Sequence, residues 1–242
     1  MPNTQRVRQP SDTPGRGRRT GVRSNEAGEE TRDRLLDTAE RLFAKRGLDA
    51  VSVRDITEAA GANTAAIHYH FGSKHDLMAA ILERRADRVG MRRQELLDRL
   101  EQRPDIELRD VVEALVLPTA ELVADGEGGQ HYVALLAALG DHPELVQLVI
   151  GAYDPYTDRY LHTLARVTPE LPDEVRMLRF AVGKDLVNRL LGEPSGQVHL
   201  WVERQSPGAD ADMKASLVDI LVGLFRAPVT STAGPVGEKG EP

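Results

Sequence analysis

The stretch from Ser52 to Asp76 most constrains what this chain can fold into: it begins "SVRD" and ends "SKHD". Each tetrapeptide sets a serine three residues ahead of an aspartate. In that spacing the two side chains satisfy each other's backbone N–H groups at the start of a helix. Ser52 and Asp55 therefore open one helix, through Ala60, and Ser73 and Asp76 open another, running to about Leu100. Between them, Gly61 ends the first helix and turns the chain, and Asn63 is placed to cap a helix from Thr64 to about His70. Upstream, "TRDRLLDTAERLFAKR" (31–46) repeats Leu35, Leu36, Ala39, Leu42 and Phe43 at helical spacing, and Gly47 stops it. Three helices with a tight glycine turn between the last two make a helix-turn-helix, whose second helix is the one that enters a DNA major groove.

Within that helix, Ile67 and Phe71 are four apart and anchor one face in the core. Asn63, Thr64 and His68 lie on other faces, and Ala65 is short enough for close approach to a base edge. Three histidines, His68, His70 and His75, crowd the same region. His68 and His70 are two apart, on opposing sides of a helix, whereas a zinc-binding pair needs a spacing of four and a further ligand. No metal is expected. Imidazole N–H, phenol O–H and the Lys74 ammonium near a helix N-terminus instead suit phosphate contact.

Charge supports this division of labour. The net charge is −7, but residues 1–103 hold 20 Lys+Arg against 16 Asp+Glu, and residues 104–242 hold 11 against 22. A basic half joined to an acidic half suggests that one end meets a polyanion. Residues 1–28, rich in Arg, Pro, Gly, Thr and Ser, read as a disordered basic tail: either simply solvated, or an arm adding phosphate or minor-groove contacts. There is no cysteine, so thiolate metal sites and cysteine nucleophiles are excluded. No apolar run reaches the roughly 18 residues of a membrane span, and no apolar stretch follows the N-terminal arginines, so the chain reads as cytoplasmic, without a membrane partner. No nucleophile–base arrangement or cofactor loop stands out; no catalytic residue, enzyme activity or cofactor is expected.

The run "SVRDITEAAGANTAAIHYHFGSKHDLMAAIL", with the helix at 31–46, strongly resembles the TetR family of bacterial transcriptional regulators. The resemblance is specific over residues 31–82: the helix order, Gly47, Ala59-Ala60-Gly61, Tyr69-His70-Phe71 and Ser73-Lys74 before Leu77. It implies an all-α protein with an N-terminal three-helix DNA-binding domain (29–89) and a C-terminal helical effector-binding and dimerisation domain (90–227), followed by a disordered tail (228–242). It implies a homodimer on a palindromic double-stranded DNA operator, acting as a repressor released by an unknown small-molecule effector. The alternative is a DNA-binding regulator or architectural factor with no effector. By position, Arg54 resembles a base or phosphate contact, Thr64 and Ala65 sit where the family reads bases, and Tyr69, His70 and Lys74 where it grips phosphate. With Ser52, Asn63 and His68 these form the candidate DNA-contacting set; His68 departs from the pattern, since many members carry tyrosine there.

The acidic half continues as helices: "DIELRDVVEALVLPTAELVA" kinked at Pro118, "HYVALLAAL", one after "HPE" bending at Pro155, then 173–192 and 211–225 across a connector at 192–209. The last two are apolar enough for a bundle-type dimer interface through Leu178, Ala181, Val182, Leu186, Leu190, Leu217, Leu221 and Leu224, or for an ordinary internal core. Lys184, Asp185 and Asn188 lie beside that stripe, to pair across the interface or to be exposed. An effector pocket is expected among residues 104–167, where Tyr132, Tyr153, Tyr156, Tyr160, His131 and His162 supply polar tips. No arginine pair stands out, which favours a largely apolar ligand.

Overall fold

The computed structural model describes residues 19–193, 196–207 and 212–229, with the backbone alone described for 19–26 and side-chain surroundings left out at Glu144. Among them every regular element is a helix. They run α1 (Arg19–Arg46), α2 (Val53–Ala59), α3 (Ala65–His70), α4 (Lys74–Glu101), α5 (Leu108–Ala124), α6 (Glu127–Leu139), α7 (Pro143–Val167), α8 (Asp173–Gly192), α9 (Gln197–Gln205) and α10 (Met213–Arg226).

The caps form as their spacing requires. The Ser52 hydroxyl accepts from the Asp55 N–H at 3.1 Å while the Asp55 carboxylate accepts from the Ser52 N–H at 2.8 Å. Ser73 caps α4 in the same way through the Asp76 N–H. Gly61 makes the turn between α2 and α3 at φ 61°, a left-handed conformation that side chains resist. Leu35, Leu36, Phe43, Ile56, Ile67, Leu77 and Ile81 are all buried in one core.

That core does not stop at the expected domain boundary. It continues through Leu82, Val89, Leu122, Tyr132, Leu135 and Tyr153, so α6 and α7 pack into the same apolar cluster as the helix-turn-helix. The boundary placed at residue 89–90 falls inside α4, which runs unbroken for 28 residues. At Gly90 a Cβ would lie 2.3 Å from the Tyr156 ring, so glycine is what lets α4 and α7 approach. A second core joins α4, α5, α7, α8 and α10 through Leu97, Val111, Leu115, Tyr160, Val187, Leu217, Leu221 and Phe225.

Two boundaries and one expected interface differ from expectation. The first helix begins at Arg19, twelve residues before Thr31, so residues 19–28 of the supposed tail are helical. No proline interrupts 19–46, and extending a nucleated helix adds one hydrogen bond per residue even where there is no apolar stripe to reveal it. Residues 1–18 and 230–242, the rest of the two expected tails, lie outside the described residues. The connector at 192–209 contains α9, which buries no side chain. The expected dimer contacts Leu190, Leu217 and Leu221 are internal: α8 and α10 pack on each other and on α5, with Leu221 against Gly183.

Candidate nucleic-acid interface

The helix-turn-helix presents a compact polar face. Thr64, Ala65, His68 and Tyr69 on and beside α3 are exposed, and Tyr69, at 84%, is the most exposed of the large hydrophobic residues described. Its ring lies outside the core and is open to a partner. Its ring meets His70 edge-on at 4.9 Å between centroids, which fixes its direction. His68 Nδ1 lies 2.9 Å from the Gly72 carbonyl. A carbonyl only accepts, so Nδ1 carries the proton and Nε2 remains for an outside group. Among the described residues no group of three histidines or carboxylates is placed to hold a metal ion.

Four candidates have internal duties. Asn63 accepts from the Ala65 N–H at 3.0 Å and starts α3. Ser52 is committed to its capping box. Arg54 projects from α2 and pairs with Glu58 at 2.8 Å; both are largely exposed, so a phosphate can compete for the guanidinium. Lys74 departs most from its expected role. Its ammonium donates to the Leu48 carbonyl at 2.6 Å and lies 5.4 Å from the Phe43 ring centroid, tying the start of α4 to the end of α1. Burial lowers its proton affinity. It orients the motif first, and any phosphate contact must share that ammonium.

Sequence pattern alone misses the clamp behind this face. Glu40 of α1 is 1% exposed and receives Arg84 at 3.2 Å and Arg85 at 3.0 Å, both from α4; Arg84 also reaches Asp37 at 2.8 Å. The signal was present: a glutamate inside the Leu36–Phe43 apolar run must be paired once buried.

The six expected pocket residues do not converge. Tyr132 and Tyr153 are buried and share a hydrogen bond at 2.8 Å, and burial raises the pKa of both phenols. Tyr160 is buried and donates to the Val111 carbonyl at 3.2 Å. Tyr156 donates to Asp87 at 2.8 Å on the surface of α4 and α7. His131 lines an open groove of about 550 Å³ with Lys45, Glu127 and Gln130, and His162 is exposed. Only Tyr153 faces the buried cavity between α4, α5 and α8 that Arg93, Thr119, Lys184 and Asn188 also line.

A capped helix-turn-helix with an exposed polar recognition face, carried on a long helix into a helical bundle, is the architecture of a DNA-binding regulator. The comparisons agree. Residues 35–81 match the model of bacterial regulatory proteins of the tetR family, and residues 113–187 that of the tetracyclin repressor-like C-terminal domain. The chain is 41% identical over 61 residues to the HTH-type transcriptional regulator TtgR of Pseudomonas putida, covering 25% of this chain and 29% of TtgR. It is 36% identical over 92 residues to the HTH-type transcriptional repressor KstR2 of Rhodococcus jostii, covering 38% and 43%. These curated relatives are thus matched over less than half their length. The fold extends further: a TetR-family transcriptional regulator from Bordetella parapertussis superposes with TM-score 0.55 at 18% identity over 82% of this chain and 95% of that one. The TetR-family regulator PfmR from Thermus thermophilus gives 0.51 at 19% over 82% and 97%. The chain belongs to the TetR family of bacterial transcriptional regulators.

Proposed function

We propose that two copies of this chain bind a palindromic operator as a repressor and that a small molecule entering the helical domain releases it. The observation that carries the reading is α4. Its first turn, capped by Ser73 and tied by Lys74 to the Leu48 carbonyl, belongs to the helix-turn-helix, and its second half is built into the core of the helical domain. A tilt of α4 moves α3. Two recognition helices must stand about 34–36 Å apart to enter successive major grooves, so a tilted α4 lowers operator affinity.

Tyr69 and His70 serve as phosphate contacts, His68 offers Nε2 as an acceptor to a donor on a base edge while Nδ1 holds the proton, and Thr64 and Ala65 face base edges, with Arg54 at the edge of the site. For the dimer, α8 and α10 leave Leu178, Val182 and Ile220 about half exposed or more, an apolar face suited to a second copy. No described helix is long and apolar enough to cross a membrane.

The test is binding to an operator recovered by selection from random DNA. Tyr69→Ala is expected to weaken all sequences alike, by roughly tenfold for one lost phosphate contact with its ring, while Thr64→Ala changes the preferred bases. Unchanged affinity in both would place the interface elsewhere. Leu178→Glu with Val182→Glu is expected to give folded monomer in sedimentation; a retained dimer would move the interface off α8.

A further inference from the structure

Three charged side chains are buried among the described residues: Glu40, Arg93 and Arg176. Glu40 meets Arg84 and Arg85. Arg176 meets Asp173 and donates to the Leu171 carbonyl at 2.6 Å and the Thr168 carbonyl at 3.1 Å. Arg93 is 4% exposed and meets no carboxylate among the described residues. Its guanidinium reaches the Ala114 and Leu115 carbonyls at 3.4 and 3.5 Å, long for N–H···O bonds. The Ala114 carbonyl needs a donor because Pro118, four residues on, has no N–H to give it. The Tyr160 ring centroid lies 6.0 Å away, at the limit of a cation–π contact; that and two stretched bonds to neutral carbonyls do not compensate a charge that cannot be shed by deprotonation.

Lys184 of α8 opens onto the same cavity. Its ammonium stands 5.1 Å from the Tyr153 ring centroid and has no ion pair within 4.0 Å among the described residues; Asp154, which favours its charge, is exposed and acts through space. Burial and the neighbouring Arg93 both lower its proton affinity. Two cations thus share one buried pocket without an anion, an unfavourable arrangement in the empty protein that a bound anion reverses. Thr119 and Asn188 add polar groups beside them.

The cavity at the cations is about 10 Å³, the space of about one water. It adjoins a cleft of about 190 Å³ between α6, α7 and α8, walled by Leu136, Val146, Val149, Ile150 and Phe180 and bounded by the same Lys184 and Asn188 and by Asp185, whose carboxylate is paired with Arg189 at 3.0 Å. That cleft has room for an apolar body of several carbons. An inner end with room for about one water excludes a phosphate with its three free oxygens sooner than a carboxylate with two. The sequence pattern favours an apolar ligand; the meeting of Arg93 with Lys184 gives that ligand a charged end.

We propose that the effector is a monocarboxylic acid of medium length, its apolar body in the cleft between α6, α7 and α8 and its carboxylate held between Arg93 and Lys184. This rests on the reading of the helical domain as the sensing part and names the ligand class. It also supplies the coupling, because Arg93 belongs to α4, about 28 Å along the helix from Lys74. An anion that draws Arg93 towards Lys184 acts directly on the helix that carries the DNA-binding motif.

The experiment is calorimetric titration of the full-length protein with hexanoate, octanoate, decanoate and phenylpropanoate, each against the alcohol of the same skeleton. At least one acid is expected to bind about tenfold or more tighter than its alcohol, as charge-assisted hydrogen bonds require. In Arg93→Gln, which keeps an N–H donor for the Ala114 carbonyl, and in Lys184→Met, acid and alcohol should bind alike. Thermal melts without ligand check that both variants fold; if one does not, the other decides. Equal binding of acids and alcohols by the native protein, no binding of any acid, or an acid preference that survives in the folded variants would overturn the proposal. Operator release is measured separately. Acid binding without release would keep this site and defeat the effector reading, whereas release by an uncharged molecule alone would keep that reading and defeat this site.

Discussion

Two buried charge clusters sit on α4 little more than two turns apart, and they are built in opposite ways. At Arg84 and Arg85 the helix meets a buried carboxylate, Glu40, and charge is matched within the chain. At Arg93 it meets Lys184, and like faces like. The first joins α1 to α4 and so ties the helix-turn-helix to that helix. The second leaves a positive pocket where α4 enters the helical domain. A balanced cluster is what rigidity needs; an unbalanced one is what a site for an absent anion needs.

The largest effect that can break the comparison is expected at Glu40. Glu40→Gln leaves two arginines facing a neutral amide. Removing one partner of a buried pair costs about 3–5 kcal/mol; here about 2–3 kcal/mol is expected, because the arginine side chains are 25% and 20% exposed and can partly turn to water. Chemical denaturation measures it. Arg93→Gln is expected to act in the other direction, leaving stability unchanged or raised by about 1 kcal/mol. If Arg93→Gln lost as much as Glu40→Gln, the arginine would be a structural donor for the Ala114 carbonyl, and the contrast would collapse.

The smallest effect sharpens the contrast through pH. The folded-state pKa of Lys184 lies below its ordinary 10.5. Its unfavourable charge is therefore fully present below that lowered pKa, fades as pH rises through it, and is gone above 10.5. The stability difference between the native protein and Lys184→Met is expected to shrink over that alkaline range. A difference that did not change with pH would mean that Lys184 is not desolvated.

Much of the N-terminal motif was legible because its instructions are local. Ser52 with Asp55, Ser73 with Asp76, and Gly61 each act within a few residues, and a capping pattern admits few other readings. Helix order in the acidic half was readable from apolar periodicity, though α9 was not: Val198, Leu200 and Trp201 stay exposed, so no stripe marks it. The cavity was hidden for another reason. Arg93 and Lys184 lie far apart in sequence, and α4 is so rich in arginine that one inward member does not stand out. Its spacing did hold the clue. Ala86, Val89, Leu97 and Leu100 are buried, and Arg93 falls on their stripe. The tyrosines misled because a buried phenol can be satisfied by a backbone carbonyl, as Tyr160 is, or by another phenol, as Tyr132 and Tyr153 are. Lys74 looked like a free phosphate ligand because nothing local predicts that α4 starts beside the Leu48 carbonyl.

If α4 links the anion pocket to the groove-reading face, thermodynamic linkage between acid and operator shows it most directly. The affinity of the best-binding carboxylate for the native protein is measured free and with saturating operator. If α4 couples the sites, operator weakens the acid by the same factor by which the acid weakens operator; a tenfold effect corresponds to about 1.4 kcal/mol. Equal acid affinity in the two titrations, with operator nonetheless released, would contradict the account.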